Sequence, residues 1–71
     1  MKTNQIELLS RGMIFKLSIM GRIINLHYPD GLSRDDVERF VPTEKEVSEF
    51  LGYEVICSDI HKHFTEYVKV S

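Results

Sequence analysis

Two dipeptides ending in glycine, Arg11-Gly12 and Met20-Gly21, cut the stretch from Asn4 to Tyr28 into three segments in which apolar and polar residues alternate. A period of two is the pattern of a strand with one buried face, and glycine supplies the positive φ that two-residue hairpin loops need. The pattern therefore predicts a three-stranded antiparallel meander. With Arg11 and Gly12 as the first loop, Ser10 faces Met13, Leu8 faces Phe15 and Ile6 faces Leu17. With Met20 and Gly21 as the second, Leu17 faces Ile24, Phe15 faces Leu26 and Met13 faces Tyr28. The two loops together generate continuous rows: Ile6, Leu17 and Ile24; Leu8, Phe15 and Leu26; Ser10, Met13 and Tyr28. A slip of one residue in either hairpin would send these side chains to opposite faces, so the agreement between the loops tests which residues share a face.

On the other face the same register sets Glu7, Lys16 and Asn25 in one row, an opposite-charge pair of the kind that supports a sheet. It also sets Leu9, Ile14 and His27 in a second row and Gln5, Ser18 and Ile23 in a third. The apolar members of this face need a cover. The C-terminal segment is the expected one, and a second subunit or a partner protein is the alternative.

Beyond Tyr28, the run Pro29-Asp30-Gly31 reads as a turn. Ser33 then stands as an N-cap with Asp36 placed to reach back to it, Leu32 and Val37 stand at staple positions, and Pro42 ends this helix after about two turns. Thr43-Glu44-Lys45-Glu46 is a second capping box, and Gly52 fits the position just past a helix end. The stripe of this second helix is Val47, Phe50 and Leu51. From Tyr53 onward both periods fit: Phe64, Glu66, Val68 and Val70 alternate, while Ile60, Phe64, Tyr67 and Val68 have helical spacing from a cap at Ser58 or Asp59. The β-branched and aromatic content favours a hairpin of residues 53–58 with 64–70. The expected architecture is α+β: an antiparallel sheet made of the meander and a C-terminal hairpin, with two short helices packed on one face. At 71 residues, the chain forms one domain, 1–71.

Nine Lys and Arg against eleven Asp and Glu give a formal charge of −2, which marks neither a polybasic nucleic-acid binder nor an acidic tail. The charges are nonetheless sorted. Residues 1–28 carry Lys2, Arg11, Lys16 and Arg22 against Glu7, whereas residues 29–54 carry three basic residues against eight carboxylates. The lone Cys57 cannot form an internal disulfide, no apolar run approaches the roughly 18 residues of a membrane span, and the first residues hold no apolar export segment. A reducing cytoplasm is the expected location, without membrane association.

The densest polar constellation is Cys57, Asp59, His61 and His63, at alternate positions that would project to one side of an extended strand. Zinc would need three or four of these ligands to converge on one point within about 2.0–2.3 Å, and the spacing matches no zinc pattern, so no metal or other cofactor is expected. A Cys57 nucleophile with His61 or His63 as base would lack an orienting group and oxyanion donors, so no catalytic residue is assigned and the chain is not expected to be an enzyme. Asp35 and Asp36, like Glu44 and Glu46, are acids of helix first turns. No phosphate-binding loop or dinucleotide fingerprint occurs.

What remains is a protein-binding module. Two surfaces are candidates: the acidic helices, through Asp35, Asp36, Glu38, Glu46 and Glu49, and the mixed sheet face of Leu9, Ile14, Ile23 and His27. Small motif-free domains of this profile are common among stoichiometric inhibitors and regulators of phage or mobile-element type, anti-CRISPR proteins included; that is an expectation from size and class, since no residue here matches such a family. The partner would be another protein, or a second copy. The second reading is a nucleic-acid-binding regulator that works from Lys2, Arg11, Lys16 and Arg22, and the third a small metal- or thiol-dependent enzyme.

Overall fold

The computed structural model describes residues 4–70. Three strands open the chain: β1 (Asn4–Ser10), β2 (Met13–Met20) and β3 (Ile23–His27). Two helices follow, α1 (Arg34–Val37) and α2 (Glu44–Leu51), and the chain closes with β4 (Val55–Ile60) and β5 (Phe64–Lys69). All five strands join one antiparallel sheet in the order β1-β2-β3-β5-β4. The fold is α+β, with β1 and β4 as its two outer strands.

The first hairpin has the expected register, with Ser10 opposite Met13, Leu8 opposite Phe15 and Ile6 opposite Leu17. Arg11 and Gly12 take φ of 50° and 86°, both positive as a type I′ turn requires. The second register is corrected by two residues: Leu17 faces Leu26, Ile19 faces Ile24 and Met20 faces Ile23, so the loop is Gly21-Arg22. The reason lies in the turn. A Met20-Gly21 loop would force Met20 to positive φ, whereas here Gly21 takes φ 62° at the first central position, where type II′ turns carry glycine. A shift of two preserves the side-chain alternation, so the same residues face inward and only their neighbours change.

The tail is a hairpin, and its position corrects a second expectation. It does not fold over the mixed face. It extends the sheet, with β5 paired to β3 so that Ile24 faces Tyr67 and Leu26 faces Thr65. The core therefore forms on one side of the sheet: Leu8, Phe15, Leu17, Ile24, Leu26, Tyr28, Val55 and Tyr67 meet Val37 and Val47 from the helices. The Phe15 and Tyr28 rings pack edge to face with centroids 6.4 Å apart.

α1 is one turn long rather than two. Its cap is in place, since the Ser33 N–H donates to Asp36 Oδ2 at 2.8 Å, but beyond Val37 the chain continues to Val41 as turns. A buried hydroxyl network anchors its start: Tyr28 and Thr65 share a 2.6 Å hydrogen bond, and the Arg34 guanidinium donates to both, at 3.1 and 3.2 Å. α2 matches its sequence signature. The Thr43 N–H donates to Glu46 Oε1, the Glu46 N–H donates back to Thr43 Oγ1, and Gly52 closes the helix at φ 85°. Val47 is fully buried, but Phe50 is 46% exposed, which corrects its assignment to the buried stripe.

Phe50 is left out because α2 lies between the two ends of the sheet. Glu44 and Ser48 on one side of the helix reach β4, while Glu46 on the opposite side forms a 3.1 Å ion pair with Arg11 beside β1. Phe50 shares that second side and borders a groove along the end of β1 with Leu8, Leu9 and Pro42.

Candidate interaction surface

Because both helices lie on one face and the C-terminal hairpin lies in the sheet, no element among the described residues covers the other face. Side-chain alternation and the observed registers sort that face into parallel rows. Leu9 and Ile14 form the first. Glu7, Lys16, His27 and Phe64 form the second, and Gln5, Ser18, Asn25, Glu66 and Asp59 the third. Met20, Ile23, Val68 and Ile56 form the fourth. Two apolar rows thus flank a polar band. Leu9 is 70% exposed, Ile14 54%, Ile56 50% and Met20 43%, so each apolar row leaves large side chains uncovered among the described residues.

The polar band is internally bonded. Ser18, buried despite facing outward, shares a 3.1 Å hydrogen bond with His27 Nε2. His61 stacks on Phe64 with ring centroids 4.2 Å apart and lies 3.5 Å from Asp59 and 3.9 Å from Glu66. Asn25 Oδ1 is enclosed without a donor among the described residues, a deficit that costs on the order of 1–3 kcal/mol. At the margin of the band, Ile14, Lys16, Ser18 and His27 meet the Pro29–Gly31 turn and His63 around an open groove of about 690 Å³. Ser18 and His27 form a hydroxyl–imidazole pair, but among the described residues His27 has no second hydrogen bond to orient its ring as nucleophile activation requires.

The four sheet residues singled out from sequence, Leu9, Ile14, Ile23 and His27, all lie on this face; Leu9 and Ile14 pair as expected, while His27 and Ile23 leave their expected rows. Leu9 and Ile14 are neighbours, His27 sits opposite Lys16 in the polar band, and Ile23 belongs to the far apolar row. The helical acids Asp35, Asp36, Glu38, Glu46 and Glu49 are all exposed. Two of them, and the neighbouring Glu44, are nonetheless occupied within the chain. Hydrogen bonds from the Ser33 and Thr43 backbones hold the Asp36 and Glu46 carboxyls below the usual carboxylate range, and Glu44 accepts the Cys57 N–H at 2.7 Å. The acidic surface is therefore sparser than the sequence suggests, with Asp35, Glu38 and Glu49 its remaining members.

The basic residues are dispersed. Arg11 is tied to Glu46 at the first turn, Arg22 donates to the Lys69 carbonyl at the second, and Lys16 stands between them on the open face; Lys2 lies outside the described residues. The Cys57, Asp59, His61 and His63 constellation is broken by a bulge between Cys57 and Asp59. Cys57 faces the helices, Asp59 faces the open side and His63 Nδ1 engages the Leu32 carbonyl, so the extended alternation assumed from sequence does not hold. Among the described residues no three His, Cys, Asp or Glu side chains are arranged to hold a metal ion. Burial, with the Glu44 carboxylate adding to it, pushes the Cys57 thiol up, which disfavours the thiolate form. Burial likewise pushes Tyr67 up to about 12. No helix among the described residues is long and apolar enough to cross a membrane.

Sequence reasoning missed the side chains that α2 lends to β4. The Val55 N–H donates to Ser48 Oγ at 3.0 Å, and the Ser48 hydroxyl lies 3.4 Å from the Val55 carbonyl. Ser48 and Glu44 are four residues apart, so they project from one helix face and meet alternate residues of the strand. That spacing is present in the sequence, but its meaning depends on α2 lying beside β4. Comparison with known families, curated proteins and solved structures finds no match.

Proposed function

We propose that this chain is a non-enzymatic interaction module that binds another protein through the uncovered face of its sheet, as a stoichiometric inhibitor or regulator of phage or mobile-element type. The observation that carries this reading is the pair of exposed apolar rows, Leu9 with Ile14 and Met20 with Ile56, flanking a polar band. Apolar rows supply burial, and Lys16, His27 and Glu66 between them supply orientation and selectivity, the division of labour common to protein interfaces. The single thiol, Cys57, accords with a reducing cytoplasm as the working compartment.

The test is capture from the native host with three baits: the wild-type chain, Ile14→Glu and Met20→Glu, each checked by circular dichroism to be folded. Both substitutions replace half-exposed residues, so the fold should tolerate them. A partner held by the wild type at one-to-one stoichiometry and released by either variant supports the reading. Equal retention by all three baits, or capture of nucleic acid alone with a steep salt dependence, would overturn it.

A further inference from the structure

The two outer strands of the sheet present different chemistry to a passing chain. In an antiparallel ladder, alternate residues turn their N–H and C=O groups toward the neighbour and the rest turn them away. On β4 the outward groups belong to Val55 and Cys57, and α2 occupies them through Ser48 and Glu44. The bulge after Cys57 and the Asp59 carboxylate, which accepts the Ile60 N–H at 2.9 Å, blunt the remainder of that edge.

Among the described residues β1 has no such protection. Its turn closes on Ser10 and Met13, so Ser10, Leu8 and Ile6 bond inward to β2, and Gln5, Glu7 and Leu9 carry the outward backbone groups. No side chain among the described residues bonds these groups. Alongside lies the groove that Phe50 borders, of about 170 Å³, and Ile6 and Leu9 stand exposed at the same edge.

We propose that β1 receives an extended segment of a partner protein as a sixth, antiparallel strand, with a Lys or Arg of that segment opposite Glu7. This names the binding mode for the interaction module proposed above and rests on that reading. A row of free backbone groups is satisfied by another extended backbone, which selects a strand over a helix. The charge selects its chemistry. Glu7 lies between the vacant position and Lys16, so a cation there completes an alternating row, while apolar residues opposite Leu9, Leu8 and Ile6 meet apolar neighbours on both faces. A second copy of this chain is the poorer fit. Two-fold pairing of β1 with itself sets Glu7 against Glu7, Gln5 or Leu9 rather than against a cation, and Arg11 of such a copy sits in the turn and is bound to Glu46.

The experiment uses two capped hexapeptides, Thr-Val-Val-Lys-Val-Thr and Thr-Val-Val-Glu-Val-Thr, with amide hydrogen exchange and chemical shifts read by NMR on the whole chain. The lysine peptide should slow exchange at Gln5, Glu7 and Leu9 and leave Val55 and Cys57 unchanged. It should bind about tenfold tighter than the glutamate peptide, and Glu7→Lys should reverse that order. Failure of both peptides to protect β1, protection centred on β4, or protection that grows with protein concentration alone overturns the proposal. The capture experiment separates the two readings. A partner released by Ile14→Glu and retained by Glu7→Lys leaves open-face binding standing and removes strand addition, whereas no partner for any bait removes the interaction module itself.

Discussion

β1 and β4 border the same sheet, are of similar length and each carry exposed apolar residues, yet one edge is closed and the other is uncovered among the described residues. The bulge after Cys57 and the Asp59 carboxylate blunt one end of β4, but most of the difference does not come from the strands. It comes from α2, whose Glu44 and Ser48 satisfy Val55 and Cys57 on one side, while its opposite side offers β1 an aromatic ring and an ion pair with Arg11 but no group for the backbone. Edge protection in a small α+β domain is thus a property of what lies beside the strand. A helix that runs between two edges can close one and leave a groove at the other.

Removing what both edges share should have the largest effect. Phe15 is fully buried in β2 between them, and Phe15→Ala should cost about 3–5 kcal/mol in urea unfolding, with amides of β1 and β4 losing protection together. Protection lost at one edge alone would mean that the sheet does not unfold as a unit.

Breaking the closed edge should come next. Ser48→Ala with Glu44→Ala leaves Val55 and Cys57 without their side-chain acceptors, and the pair should destabilise by roughly 1–3 kcal/mol. Exchange should accelerate at those two amides and not at Glu7 or Leu9. Equal acceleration at β1 would contradict the contrast between the edges.

Thr43→Ala removes the N-cap of α2 and should cost about 1 kcal/mol, with β4 loosening more than β1 because β4 depends on the helix for its outward bonds.

The smallest effect is a pH dependence. The folded-state carboxyls of Asp36 and Glu46 sit below their ordinary values, so they contribute stability that is fully present above the unfolded values of 3.8 and 4.5 and is lost as pH falls through the lower folded values. Thermal melts of Glu46→Gln should therefore show a shallower loss between neutral and acid pH than the wild type. An unchanged slope would show that Thr43 does not hold this carboxylate in solution.

Much of this was legible along the chain because the physics is local. Alternation from Asn4 to Tyr28 assigned the inward residues, and that assignment survived a wrong second turn because Met20-Gly21 and Gly21-Arg22 differ by a register step of two. The capping box of Thr43 and Glu46 is likewise written within four residues, and it formed as expected. The candidate face was legible as a set of side chains, Leu9, Ile14, Ile23 and His27, but not as rows, since rows need the correct register and the neighbours supplied by β5.

The sequence by itself determined which residues turn inward, where the helices start, and that one face of the meander would be mixed. Periodicity, glycine φ and capping chemistry act over a few residues and need no knowledge of distant neighbours. Tertiary structure alone decided that the tail enters the sheet instead of covering it, that Phe50 is left in a groove, and that α2 closes β4 rather than β1. Those outcomes depend on contacts between segments such as Ile24 with Tyr67, far apart in the chain, whose competition for the same edge no local pattern records.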